Sequence, residues 1–398
     1  MIMFIILLAF TEKVFSNHGR RLSGALNVSG SWVINIKFLD LFAGIGGFRS
    51  GLEMAGHECV GFVEIDKFAR RSYRAIYDTE GEWTAHDIRA VRASELPRAD
   101  IWTFGFPCQD ISVAGKQKGF AGKRSSLFFT VTSLIRDLEE EDRPSILLIE
   151  NVKNLLSING GWDFLKLQIE LDEIGYDIEW DVLDTAEVLP QHRERVYIVG
   201  HLRGRGTRKV FPIRRSNKKA SNRPRIMRVF DGRNSGTYGS QDVVSPEGIT
   251  GTLNTMSGGN REPKVLVKEA TKMGYAEGYE GDSINISQPN SKTRRGRVDK
   301  QVANTLETGI NQGVVTEELF IRKLTPLECW RLQGFTDEQF YKAQAVNSNS
   351  QLYKQAGNSV SVPVVYAVAK HLKIGSYDGI TDKLFDIIHH KGAFYYGN

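Results

Sequence analysis

Residues 105 to 112 read GFPCQDIS, which sets Cys108 behind Pro107 after a short apolar run, IWTFGF. Forty-two positions later a second apolar run, SILLIENV, delivers Glu150. In open α/β sheets the carboxyl ends of the strands line the ligand crevice, so strands ending in a thiol and a carboxylate point to a nucleophile and an acid facing one substrate. A cysteine taken at random is more often an inert buried thiol. Cys108 lies outside its apolar run, however, and the following GKQKGFAGKR supplies cations that favour a thiolate. That glycine-rich, cationic stretch reads as a lid over the crevice, with a solvated loop as the alternative.

Other candidates lie at further strand ends. FLDLF runs into AGIGGFRSGLE, where Gly44, Gly46 and Gly47 allow a tight strand-to-helix turn and close approach to a ligand. The spacing departs from G-x-G-x-x-G because Arg49 stands at the third glycine's place, which argues against a dinucleotide pyrophosphate site. Glu64, in VEID, lies where an acid can hold ribose hydroxyls, whereas Asp66 reads as the cap of the next helix. In QHRERVYIVG, Arg193 and Arg195 alternate before an apolar strand and should face one side, suiting carbonyl or phosphate recognition; surface salt bridges are the alternative. His192 should point the other way, as a structural residue.

These residues need a frame. From about residue 36 to 200 the runs IKFLDLF, CVGFVEI, ADIWTFGF, SILLIENV, DIEWDVL and RVYIVGH alternate with helical patterns near 47–56, 67–77, 126–139 and 162–174. Strand and helix in alternation predict an α/β, doubly wound, largely parallel sheet. After His201 the chain becomes rich in Gly, Asn, Ser and Arg, and helical patterns return only near 325–333 and from about Val362. The expected organisation is an N-terminal extension over 1–35 that adds nothing to the fold, a catalytic domain over 36–202, a recognition segment over 203–320, and C-terminal elements over 321–398 that close the first domain.

The bulk numbers are those of an ordinary soluble composition. The chain has 398 residues, 41% apolar and 25% charged, and its net charge of +5 is unevenly spread. Arg203 to Arg228 holds eleven Lys or Arg and no acid, so the rest is net acidic. A basic block on an acidic body suits a polyanion, since phosphate neutralisation releases counterions; a solvated basic loop is the alternative. Three scattered cysteines without CxxC spacing argue against a disulfide framework or a zinc site and fit a reducing cytoplasm. MIMFIILLAF is too short to span a bilayer, so no membrane partner is expected; a cryptic membrane anchor is the alternative.

The motifs FLDLFAGIGGF, VEIDKFA, HDIRAV, GFPCQDIS, ENVKNL, QHRERVYIVG, RKLTPLECWRLQGF and QLYKQAGNSVSVPV, in that order, resemble the cytosine-5 DNA methyltransferase family of bacterial and phage restriction-modification systems. The resemblance covers about residues 37 to 370 and implies a Rossmann-like, S-adenosylmethionine-dependent domain with a smaller inserted target-recognition domain. It implies that Phe42, Gly44, Gly46, Gly47, Glu64, Asp87, Ile88, Pro107, Leu127, Asn358 and Val360 surround the cofactor. It assigns Cys108, Glu150, Arg193 and Arg195 to catalysis, and Gln109, Ser112, Asn151, Thr305 and Leu306 to the substrate. Thr305 and Leu306 fit the recognition domain's Thr-Leu pair better than the earlier copy in GTLNTMSGGN. His86 replaces a frequent glycine, and KRSSLFF a commoner RGTLFF.

The implied reaction is attack of Cys108 on C6 of a flipped-out cytosine, with Glu150 as acid at N3 and methyl transfer to C5. Double-stranded DNA is the expected partner, the chain acting as a cytoplasmic, nucleoid-associated monomer, with any cognate restriction endonuclease working separately. A tRNA methyltransferase shares most of these motifs. A non-catalytic DNA-binding relative would lose Cys108 and Glu150, and a nicotinamide dehydrogenase lacks support without the third glycine.

Overall fold

The computed structural model describes residues 24–26, 32–34, 36–106, 127–213, 265–288, 291, 293–309, 311–316 and 321–374. Cys108, Pro107, Gln109 and Ser112, the proposed lid, and most of the basic block lie outside them. Among the described residues no helix is long and apolar enough to cross a membrane. Within the segment expected to stand outside the fold, two short strands, β1 (Gly24–Leu26) and β2 (Trp32–Ile34), pair antiparallel with each other.

The frame is a seven-stranded sheet of β3 (Lys37–Leu41), β4 (Glu58–Val63), β5 (Trp83–Ala85), β6 (Ile101–Phe104), β7 (Ile146–Val152), β8 (Tyr176–Asp184) and β9 (Glu194–Leu202). Its order is β5-β4-β3-β6-β7-β9-β8, with β3 to β7 parallel and β9 antiparallel to both neighbours. The chain runs outward from β3 to β5 and then returns to the other side of β3. That reversal makes the β3–β6 boundary the switch point at which ligands bind. Four helices follow strands as expected: α1 (Gly47–Met54), α2 (Lys67–Ile76), α3 (Leu127–Asp137) and α4 (Trp162–Glu173).

Period-two alternation explains how both faces are buried. Leu39, Leu41, Trp102, Phe104, Leu147 and Ile149 share one cluster with Phe128, Val131, Phe164 and Leu167 of α3 and α4. Their alternates Phe38, Ile101, Ile146 and Leu148 pack against Phe48 and Leu52 of α1 and Val364, Val365 and Val368 of a late helix.

That late helix is α8 (Val362–Ala369), preceded by α5 (Pro326–Leu332), α6 (Asp337–Gln344) and α7 (Asn349–Asn358). The expected helix at 325–333 is α5, with Thr325 and Glu328 forming a capping box, and α8 begins at Val362 as expected. The apolar pattern missed α6 and α7. They are short and polar, and their helicity depends on packing Phe340, Ala343, Leu352 and Ala356 against Tyr73 and Trp330. The remaining strands are β10 (Val265–Lys268), β11 (Tyr275–Gly278), β12 (Ser283–Asn285), β13 (Val298–Asp299), β14 (Gln312–Val315) and β15 (Ile321–Lys323). They form a hairpin, β10-β11, and a sheet, β13-β12-β14-β15, around Val265, Val267, Ile284 and Val315.

One acid sits inside this frame. Asp40 of β3 is fully buried, accepts hydrogen bonds from Thr103 (3.1 Å) and Tyr73 (3.3 Å), and is pushed up to about 8 by burial. The folded protein therefore holds this proton more tightly than the unfolded chain. Its contribution makes stability fall as pH rises from about 4 towards 8. Asp40→Asn should leave stability near that of the parent at pH 4 and raise it by about 1–3 kcal/mol relative to the parent at pH 8. Urea unfolding at both pH values measures this; an equal difference at the two would show that Asp40 does not titrate in that range.

Candidate active site

Beyond β3 the backbone enters a left-handed turn, with φ of 54° at Phe42, 57° at Gly44 and 82° at Gly46. A side-chain carbon on Gly44 would meet nothing within 4 Å, so this glycine serves the turn and leaves room beside it. One on Gly47 would lie 2.7 Å from both Ser359 and Val360, so the late GNSV segment packs directly on the loop. The Tyr77 hydroxyl donates to the Gly46 carbonyl at 2.8 Å and lies 2.6 Å from Ser50 Oγ. The sequence carried no signal for this support, which comes from the far end of α2.

Glu64 directly follows β4, with its carboxylate buried beside the glycine turn. Its oxygens accept from the backbone N–H of Gly44 and of Asp66, each at 2.7 Å. Burial pushes this carboxyl up, and those two bonds oppose the shift. Asp66 caps α2 as the sequence indicated, accepting from Phe68 and Ala69. Asp87 caps a short turn over Ile88–Ala90, and its bond from Arg89 holds its carboxyl low. Ile88 is buried in the core cluster on this face of the sheet, and Phe42 and Leu127, partly buried, pack against the same cluster. Asn358 is exposed at the end of α7 and Val360 is buried.

The second half of the site lies beyond β6 and β7. Glu150 is almost wholly buried, and Arg195 Nε approaches its Oε1 at 3.2 Å. The register explains the pairing: Glu150 faces Tyr197 and Val152 faces Arg195 across the β7–β9 ladder, so Glu150 and Arg195 are diagonal neighbours on one face. Burial pushes the Glu150 carboxyl up, with Arg195 and then Arg193 pulling the other way. Asn151 Nδ2 donates to the Phe106 carbonyl at 3.1 Å, and a side-chain carbon on Gly105 would come within 3.3 Å of Glu150 Oε2. The chain that leads into Cys108 is thus held against the Glu150 carboxylate as far as Phe106. Gly105 was not among the sequence candidates, although a glycine set between two phenylalanines was the available signal.

The two arginines divide. Arg195 turns to Glu150, whereas Arg193 Nη2 donates to the carbonyls of Ser359 (2.7 Å) and Gly357 (3.3 Å). His192 is exposed and reaches Asp184 through Nδ1 at 3.0 Å. Its carbonyl accepts from the Thr305 hydroxyl at 2.8 Å. Leu306 is buried, in one core cluster with Ala43, Ile45 and Trp330. Thr305 therefore clips this part of the chain to the arginine loop, and Leu306 is a core residue. The other two cysteines, Cys59 in β4 and Cys329 in α5, are buried and pushed up to about 12 by burial, so both are held as thiols.

Comparison with known proteins identifies the family. The family model of the C-5 cytosine-specific DNA methylases matches residues 36–374. The orphan methyltransferase M.SPBetaI of Bacillus phage SPbeta is 30% identical, the match covering 85% of this chain and 97% of the relative. For the type II methyltransferase M.HhaI of Haemophilus parahaemolyticus the identity is 30%, over 87% of this chain and 97% of the relative. The type II methyltransferase M.SsoII of Shigella sonnei is 32% identical, over 84% and 79%. Among solved structures, the Entamoeba histolytica methyltransferase EhMeth and the S. pombe Dnmt2 methyltransferase share this fold, each with a TM-score of 0.50 at 19% identity. They cover 85% and 84% of this chain and 97% of their own. With a family match over most of its length and relatives matched nearly end to end, the chain belongs to the C-5 cytosine-specific DNA methylase family.

Proposed function

We propose that this methylase acts on a cytosine turned out of double-stranded DNA, with Cys108 as nucleophile, Glu150 as acid and S-adenosylmethionine as methyl donor. The observation that carries the reading is the hold of Asn151 on the Phe106 carbonyl beside Glu150. It brings the strand end that continues into Cys108 to a buried carboxyl with a raised proton affinity.

Cytosine C5 is a weak nucleophile. Attack of the Cys108 thiolate on C6 forms a carbon–sulfur bond and moves the ring electrons to an enamine, while the Glu150 carboxyl protonates N3 and Arg195 orients that carboxyl. S-adenosylmethionine, when bound, supplies an electrophilic methyl group to C5. A base then removes the C5 proton, the C5–C6 double bond re-forms as the thiolate leaves, and N3 returns its proton to the Glu150 carboxylate. Both carbons react through the ring faces, which neighbouring bases cover in a duplex, so the base must be extruded first.

The residues at the β3–β4 crevice fit the donor. Glu64 spends one lone pair of each oxygen on a backbone N–H and keeps acceptors for vicinal hydroxyls. Phe42, Ile88 and Leu127 offer an apolar wall, and the space beside Gly44 is open. Glu64→Ala should weaken donor affinity roughly ten- to a hundredfold, the equivalent of about 1.5–3 kcal/mol, and leave DNA affinity near that of the parent. Calorimetry with S-adenosylmethionine checks it; an unchanged affinity removes Glu64 from that site.

Bisulfite sequencing of DNA from cells expressing the gene tests the whole reading. The expected result is new 5-methylcytosine in one sequence context, lost in Cys108→Ala. Methylation confined to tRNA, or none at all, would overturn it. Exchange of residues 203–320 for a relative's segment should move the methylated context while transfer persists. An active chimera with the original context would place specificity in the catalytic domain.

A further inference from the structure

Three stretches distant in sequence meet at Gly357. The Pro190–Arg193 loop is gripped from the recognition side, where His192 N–H donates to Ala303 O (2.8 Å) and Ala303 N–H to Pro190 O (2.9 Å). It is gripped from the other side by Arg193, which holds the carbonyls of Gly357 and Ser359. The recognition chain then turns through Glu307 and Thr308 and lies directly on Gly357. A side-chain carbon there would sit 2.5 Å from the Glu307 carbonyl carbon and 2.9 Å from the Thr308 nitrogen. Both obstacles are backbone, so no rotamer change relieves them. Asn311, buried, braces the turn from its own side: Nδ2 donates to Thr305 O at 3.4 Å and Oδ1 accepts from Glu307 N–H at 3.5 Å.

We propose that Gly357 is a positioning residue: by leaving room for the Glu307–Thr308 backbone it seats the recognition segment on the wall that Arg193 holds, and so couples target binding to methyl transfer. The inference rests on the methylase reading above. In this role Gly357 acts through its lack of a side chain, which fixes how closely the segment reaching His192 approaches the strand that begins with Glu194 and Arg195. A displacement of about 1 Å at this seat is enough to misplace reacting groups and cost a large factor in rate.

The test compares the parent, Gly357→Ala, Asn311→Ala and Gly309→Ala on the target duplex mapped by bisulfite sequencing. Gly309 lies in the same loop, and a side-chain carbon there would meet nothing within 4 Å, so its variant should match the parent. Gly357→Ala should lower kcat on the target by about tenfold or more and narrow the ratio of kcat/KM between target and non-target duplexes, with S-adenosylhomocysteine affinity within about twofold of the parent. Asn311→Ala, which loosens the seat from the other side, should show the same split and carries the test if Gly357→Ala does not fold. Unchanged kcat and discrimination in the folded variants would overturn the proposal. A loss of cofactor affinity that accounts for the whole loss of rate would also do so, since Gly357 would then be only a piece of the cofactor wall. A parent that methylates no DNA would instead defeat the underlying reading.

Discussion

Duplex DNA with 5-fluorocytosine at the target position should become covalently trapped on the parent protein in the presence of S-adenosylmethionine. Attack at C6 and methylation can proceed, but fluorine cannot leave C5 as a proton does, so the carbon–sulfur bond persists. Cys108→Ser should bind the duplex and trap none, because a serine hydroxyl at its ordinary pKa is a far weaker nucleophile than a thiolate. Cys59→Ala and Cys329→Ala should trap as the parent does, since both thiols are buried and held protonated. Denaturing gel electrophoresis of the four proteins decides it. An adduct in Cys108→Ser, or its absence in the parent on its own target, overturns the mechanism.

Glu150→Gln should lower kcat by roughly a hundred- to ten-thousandfold, the range associated with a placed general acid, with a much smaller change in DNA affinity. Burial raises the Glu150 carboxyl above the usual glutamate range, so its acidic form survives to higher pH than an exposed glutamate's would. The sign follows: the rate declines as pH climbs through that raised value, and the glutamine variant lacks this decline. Steady-state rates across pH measure both features. A variant with the parent's kcat would remove Glu150 from the chemistry, leaving it as the buried partner of Arg195.

Wherever local pattern decides structure, the chain was legible. Leu39 and Leu41, or Trp102 and Phe104, alternate with residues of the opposite face, and this marked the central strands; the first four helices begin and end within a few residues of expectation. The candidate acids Glu64 and Glu150 could be picked out in the same way, because each closes an apolar run. Three residues at β5 offer too little pattern to announce an edge strand. The reversal of β9 was hidden as well, because apolar runs such as RVYIVGH carry no direction. The division of labour between Arg193 and Arg195 depends on Ser359, a partner some 166 positions away. Such pairings are properties of the folded chain and leave no trace in the spacing of either motif.

The packing of α8 on α1 bears on how the protein is made. Gly51 of α1 lies so close to Val365 that a side-chain carbon there would meet it at 2.5 Å, and Ile36 at the head of the sheet shares a cluster with Leu372. On the ribosome the first strands and α1 emerge while their covering helix is still unsynthesised. Apolar residues such as Phe48 and Leu52 then wait for almost the whole chain before they are shielded from water. Synthesis therefore exposes a half-built sheet for most of its duration. Contacts between such distant positions also make slow closure the expected behaviour of the finished polypeptide.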